Sequence, residues 1–266
     1  MYPFEYHRPE SLQEAVDLFE SSDEAQWLAG GMTLLPTLKL RLAAPSALID
    51  LAALDELQGL QRVNGGITVG AMTRHDAVAR AAEVVDAIPA LAVLAGGIGD
   101  SQVRNRGTIG GSISNSDPAA DYPAAVLGLN ATITTTRREI ASDDFFTGLF
   151  ETALESGEIV KQVSFPVPDR AGYIKFPNPA SRYAVVGVMV SKTGSDVRVA
   201  VTGAGASAFR VEEMEQALMA DFNPDALHGI EISASELNED LHASAEYRAH
   251  LVNVMARRAT ALACDS

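Results

Sequence analysis

Between Gly107 and Asp121 the sequence packs three glycines, three serines, a threonine, an asparagine and two aspartates into fifteen residues. A stretch so poor in strong helix and strand formers reads as a polar turn between a strand and a helix. Gly110 and Gly111 remove Cβ atoms that would hold a ligand off the backbone. Thr108, Ser112, Ser114 and Asn115 add hydroxyl and amide partners. Pro118 suits the first turn of a helix predicted over 119–129, whose free N–H groups would face the same place. Taken alone, such a stretch is more often a turn than a ligand site.

A second element of the same kind lies upstream. Gln26 to Ala29 reads as a short buried strand that runs into Gly30, Gly31, Met32 and Thr33 and then a helix over 34–42 with Pro36 in its first turn. Strand, Gly-Gly and helix start is the arrangement in which backbone donors receive a phosphate. A strand over 47–51 completes a strand–helix–strand unit. Ahead of it, Ser11 and Glu14 have capping-box spacing before an apolar helical face.

Further along, residues 57–70 read as a β-hairpin turning at Asn64-Gly65. Thr73 is the expected cap of a helix through Arg80, with Asp76 beside it. Apolar helical spacing over 88–95 stops at Gly96 and Gly97. The segment 102–107, with Arg104 and Arg106, reads as a loop leading into Gly107. Strands are predicted at 131–136 and 159–165, and Asp143-Asp144 as a helix cap. A composition shift over 169–179 marks the expected domain boundary. Past it come a β-hairpin over 183–202 and helices at 211–220, 224–227 and 246–262.

The balance of 20 basic against 35 acidic residues gives a net charge of −15, which makes nucleic acid a poor partner. An anionic cofactor would need local donors rather than the overall field. One cysteine, Cys264, excludes an internal disulfide and an iron–sulfur cluster held by this chain. The histidines lack ligand spacing, so no metal site is expected. No apolar h-region opens the chain and no run is long enough to span a membrane, so the expected location is cytoplasmic.

The ordered set Ala29-Gly-Gly-Met-Thr-Leu-Leu-Pro36, Gln102-Val-Arg-Asn-Arg-Gly-Thr-Ile-Gly-Gly-Ser112 and Asp117-Pro-Ala-Ala-Asp-Tyr-Pro-Ala124 closely resembles the FAD-binding medium subunit of the molybdenum hydroxylases, the carbon monoxide dehydrogenase and xanthine dehydrogenase family. The likeness continues through Tyr173-Ile-Lys-Phe176, Ser181 to Gly187 and Ala243 to Leu251, and so covers essentially the whole chain. It implies an α+β protein with a two-subdomain FAD-binding fold, PCMH/VAO-like, followed by a small C-terminal antiparallel sheet with helices. The expected domains are 1–172, with subdomains near 1–55 and 56–172, and 173–266.

The same likeness implies that FAD lies between two glycine loops. The first is Ala29 to Thr33, with Ala29, Gly30, Gly31, Met32 and Thr33 at the cofactor. The second is Thr108 to Asn115, with Thr108, Gly110, Gly111, Ser112, Ser114 and Asn115 at the cofactor, and Leu28, Leu34, Val103 and Gly107 are further expected cofactor contacts. Asp121 matches a position that fixes polar groups of the cofactor, and Lys175 a lysine near the flavin, placed to tune it by charge. Ile98 and Gly99 fall beside the ring system, Val160 at an apolar contact, and Tyr183 where relatives place an aromatic against the isoalloxazine. Relatives often carry His-Ser after the first Gly-Gly, where this chain has Met32-Thr33. No catalytic nucleophile or acid–base pair is expected here, because a flavin carries the chemistry. The implied role is electron exit from a complex whose molybdopterin-binding large subunit and iron–sulfur small subunit, with its [2Fe-2S] clusters, complete a heterotrimer that forms dimers. A self-contained flavin oxidase or dehydrogenase and a flavin-binding maturation protein are the alternatives.

Overall fold

The computed structural model describes residues 1–63 and 65–265. The first layer is a three-stranded parallel sheet of order β1-β3-β2, built from β1 (Glu5–His7), β2 (Ala25–Leu28) and β3 (Ala47–Asp50). Parallel strands need crossovers, supplied by α1 (Leu12–Glu20) and the short α2 (Leu34–Lys39). Ser11 Oγ accepts from Glu14 N at 3.2 Å and Glu14 reaches back to Glu10 N at 2.8 Å, so the predicted capping pair starts α1. Ala15, Ile49, Leu51, Leu54 and Leu57 form the core of this layer, with Phe19 stacked on Trp27 at 4.4 Å.

The second layer is an antiparallel sheet of order β4-β5-β10-β6-β7. Its strands are β4 (Leu60–Val63), β5 (Gly66–Gly70), β6 (Thr132–Thr135), β7 (Glu139–Ala141) and, after the one-turn helix α9 (Ser142–Phe145) and the small hairpin of β8 (Phe146–Gly148) and β9 (Glu151–Thr152), β10 (Val160–Pro166). The β4–β5 hairpin is the predicted one; Asn64, expected at its turn, lies outside the described residues. Between β5 and β6 run α3 (His75–Arg80), α4 (Ala82–Ala87), α5 (Pro89–Gly96), α6 (Ser101–Arg104), α7 (Ile109–Asn115) and α8 (Tyr122–Gly128). They cover one face of the sheet and bury Val78, Leu91, Leu94, Ile113, Val126, Phe145 and Phe165 in one core.

The C-terminal layer is an antiparallel sheet, β11 (Arg170–Pro177), β12 (Ala184–Thr193), β13 (Asp196–Thr202) and the two-residue β14 (Phe209–Arg210), backed by α10 (Glu212–Ala220) and α11 (Ala245–Asp265). The last strand adds a fourth to the three that the resemblance implied. Helix α11 packs so closely that Gly172 admits no Cβ against the carbonyl of Ala259. No helix among the described residues is long and apolar enough to cross a membrane.

Several local expectations give way to tertiary partners. The helix predicted from Ala119 starts at Tyr122, because the backbone of 118–120 is taken by the C-terminal sheet. Gly203 N donates to Pro118 O (2.7 Å), Ala184 N to Ala119 O (3.2 Å), and Thr202 Oγ1 to Ala120 O (2.6 Å). Residues 109–115, read as loop, are helical instead, with Thr108 as N-cap accepting from Gly111 N at 3.2 Å. Residues 101–104, also read as loop, form α6, capped by Asp100, which accepts from Val103 N. Thr73 does not cap α3: its hydroxyl donates to Gly59 O at 2.9 Å, and Asp76 pairs with Arg80 at 3.0 Å. Asp143 is no cap either, since its carboxylate accepts from Arg198 (2.8 Å) and Arg210 (3.1 Å) across the junction with the C-terminal sheet.

Candidate functional site

All three layers meet at one cleft of about 780 Å³, within the usual size of a cofactor site. The two glycine segments form facing walls of it. They touch through glycine: a Cβ on Gly30 would stand 2.8 Å from Gly107 Cα, with the Arg106 carbonyl oxygen nearer still. Gly31 holds φ at +74°, a left-handed conformation that turns the chain from β2 into α2.

The two walls offer different donors. At the first, the N–H groups of Gly31, Met32, Thr33 and Leu34 find no acceptor among the described residues. Thr33 Oγ1 is likewise unengaged, so this wall presents backbone donors and a hydroxyl. At the second, the backbone is already committed: Ile109 N donates to Thr73 O (3.1 Å) and Gly110 N to Ala71 O (2.8 Å). Here the unengaged groups are the side chains of Ser112, Ser114 and Asn115, which line the cleft.

Gly110 itself does not clear room for a ligand. A Cβ there would meet Ala71 Cβ at 2.5 Å and Ala71 O at 2.8 Å, so its glycine serves packing of α7 on the turn after β5. A Cβ on Gly111 would point at Thr108 Oγ1 (2.9 Å) and Ala29 Cβ (3.3 Å), the seam between the two walls.

Most of the residues singled out from the sequence line this cleft: Ala29 through Leu34, Ile98, Gly99, Val103, Gly107, Thr108, Gly110, Gly111, Ser112, Ser114, Asn115, Asp121, Val160 and Tyr183. Leu28 and Lys175 do not. Leu28 points into the protein and is buried. Lys175 lies behind the wall, its Nζ 2.8 Å from Asp121 Oδ1 and within 2.9 Å of the carbonyls of Gly97 and Arg182.

Asp121 is buried, and besides Lys175 it accepts from Tyr173 Oη at 2.6 Å. Burial pushes its carboxyl above the usual range, and the ammonium and phenol pull it back. Its burial raises the Tyr173 hydroxyl well above a free phenol's, so Tyr173 stays a donor.

Residues to which the sequence gives no cofactor role complete the cleft. Phe19 and Trp27 close one end, where Gly157 and Ile159 face them. The sequence held a signal in Trp27, the one tryptophan of the chain, three residues ahead of Gly30. His75 forms the floor under the second wall. Its N–H donates to Gly107 O at 3.0 Å, and a Cβ on Gly107 would stand 2.5 Å from its Nε2. The ring lies 5.3 Å from that of Tyr122, and Nδ1 is buried without a hydrogen-bond partner among the described residues. Burial, helped by the Arg104 guanidinium, lowers the imidazole to about 4, so it is neutral at pH 7. Among the described residues no three His, Cys, Asp or Glu are grouped to hold a metal.

A layered α+β chain with glycine-built walls facing across a long cleft is the class of a two-subdomain FAD-binding flavoprotein. Residues 2–168 match the FAD binding domain in molybdopterin dehydrogenase, and residues 171–263 match the CO dehydrogenase flavoprotein C-terminal domain. The glyceraldehyde dehydrogenase medium chain of Sulfolobus acidocaldarius is 37% identical over 97% of this chain and 98% of its own. The nicotine 6-hydroxylase medium subunit of Paenarthrobacter nicotinovorans is 34% identical over 95% and 94%. The solved carbon monoxide dehydrogenase from Hydrogenophaga pseudoflava superposes with a TM-score of 0.87 at 34% identity, covering 100% of this chain and 99% of that one. The chain belongs to the FAD-binding medium subunits of the molybdenum hydroxylase family, an oxidoreductase family, and FAD is its cofactor.

Proposed function

We propose that this chain is the electron exit of a molybdenum hydroxylase, taking electrons from an iron–sulfur small subunit and delivering them to an external acceptor. FAD, when bound, supplies the two-electron store that also exchanges single electrons. The observation that carries the reading is the pairing of unengaged donors on facing walls: backbone N–H groups of Gly31 to Leu34 on one side, Ser112, Ser114 and Asn115 on the other. That combination suits a diphosphate, which needs many donors but little net positive charge when the backbone supplies them.

Thr33, Ser112, Ser114 and Asn115 are assigned to polar groups of the cofactor, Ile98, Gly99, Val103 and Val160 to its apolar surfaces, and Tyr183 to the flavin ring. Met32, in place of a polar residue, contributes its N–H alone. Partners are a molybdopterin-binding large subunit and the iron–sulfur subunit, assembled as a dimer of heterotrimers in the cytoplasm. The matched relatives carry names with different substrates, glyceraldehyde and nicotine among them, which supports a substrate site on another subunit.

The test is purification from the native host with flavin, iron and molybdenum analysis and light scattering. Co-purifying iron and molybdenum, with flavin bleached by the complex's substrate, support the reading. A flavin-loaded chain that turns over a substrate alone would replace it with the self-contained enzyme.

A further inference from the structure

Three separate segments edge the cleft near Tyr183, and one side chain holds all of them. Lys175 Nζ donates to the carbonyl of Gly97 at 2.9 Å, at the start of the segment whose next two carbonyls, Ile98 and Gly99, accept from Arg104 Nη1 at 3.0 and 3.2 Å. It donates to Asp121, in the segment ahead of α8, and to the carbonyl of Arg182 at 2.9 Å. An ammonium has three protons, and all three are used. Residues 178–183 form a strap closed on itself, with Arg182 N bonded to Asn178 O and Asn178 N to Tyr183 O, both at 2.8 Å. The strap reaches the rest of the cleft edge through Lys175 and through Arg182 Nη1, which meets Gly99 O at a longer 3.3 Å. Arg182 is held at φ +63°, a left-handed conformation that an arginine keeps only where its surroundings impose it.

We propose that Lys175 is a positioning residue, a three-way tie that sets Ile98–Gly99 and Tyr183 against the bound flavin while its own charge is cancelled by Asp121. This rests on the reading of the cleft as the FAD site. A positive charge opposed by a carboxylate 2.8 Å away acts at longer range only as a dipole, so the lysine's influence is exerted through geometry rather than through its field.

The charge-balanced variant Lys175→Met/Asp121→Asn separates the two roles, because it removes the tie and leaves the net charge unchanged. In the full chain we expect the Kd for FAD to rise at least about tenfold, the loss of two charged hydrogen bonds, with the flavin midpoint potential unchanged. Wild-type FAD affinity in the folded double variant overturns the proposal, and so does a shifted potential at wild-type affinity, which would return Lys175 to direct tuning. Should the double variant fail to fold, Lys175→Arg carries the test. Its planar fork keeps the charge but cannot aim at three acceptors arranged for an ammonium, so weakened FAD binding at unchanged potential is expected. Wild-type FAD affinity in Lys175→Arg overturns the proposal. A wild-type chain that takes up no FAD would overturn the underlying reading and this inference with it.

Discussion

Gly30→Ala tests the contact between the two walls directly. The added Cβ would stand 2.8 Å from Gly107 Cα, and ordinary contact begins at 3.4 Å, so the loops must part by at least about 0.6 Å, the gap between the two. Both obstructing groups are backbone, with no flexible side chain to yield. Overpacking of this kind costs about 1–3 kcal/mol. In the FAD-free chain the walls can relax apart and shed much of that strain. On the proposed reading, a diphosphate that reaches donors on both walls draws them together and restores it. The penalty therefore falls on the complex, and about 1–3 kcal/mol corresponds to roughly a five- to 150-fold rise in Kd. The assay is titration of the FAD-free chain with FAD, alongside its thermal melt without FAD. Gly96→Ala is the control, since its Cβ meets nothing nearer than Ala79 Cβ at 3.7 Å, and it should bind FAD as the wild type does. A folded Gly30→Ala chain with wild-type affinity would refute the convergence argument. A lowered melting temperature at unchanged affinity would mean that the strain resides in both states and that the walls do not close on the cofactor.

Other expectations follow from single residues. The His75 imidazole titrates near 4 in the folded chain against 6.5 unfolded, so its contribution is complete above pH 6.5 and lost as pH falls through 4, worth about 3 kcal/mol in all. Urea unfolding at pH 7 and pH 4 should show that His75→Asn loses about that much less on acidification, and equal losses would remove His75 from the acid response. Thr202→Val should destabilise the chain by about 1–3 kcal/mol by leaving the Ala120 carbonyl without its hydroxyl donor. Wild-type thermal stability would show that water replaces that bond. Ser112→Ala and Asn115→Ala should each raise the FAD Kd about two- to tenfold without moving the melting temperature of the FAD-free chain, because neither side chain has a hydrogen-bond partner among the described residues. Whichever leaves the Kd unchanged drops out of the assigned contacts.

The parts of the fold that were legible from sequence are those set by neighbouring residues. The turn from β2 through Gly30-Gly31 into α2, the capping pair of α1 and the hairpin of β12 and β13 all rest on local chemistry. What escaped depends on partners far away in the chain. Helix α7 is spelled Ile-Gly-Gly-Ser-Ile-Ser-Asn, a weak helix former by propensity, and it stands because Ile109 and Gly110 donate to Thr73 and Ala71 and Ile113 is buried. Pro118 is a plausible first-turn residue, yet α8 begins only at Tyr122, because the Pro118 carbonyl accepts from Gly203 N. Lys175, flanked by aromatics, was readable as a residue of importance. Its direction was not, since Asp121 and Gly97 reach it only through the docking of β11.

The clamping of α8 by the C-terminal sheet has a consequence for the order of assembly. Thr202 and Gly203 hold the segment ahead of the helix, while Ser191 and Arg198 bond to the carbonyls of Gly128 and Leu127 at its other end. A nascent chain that has emerged only through residue 168 contains both glycine walls and the stretch from Pro118 to Asp121, but lacks Ala184, Thr202 and Gly203, which hold that stretch in place. The hydrogen bonds that fix this rim of the cleft can therefore form only after β13 has left the ribosome, so the order in which the chain is made sets the order in which the cleft is completed.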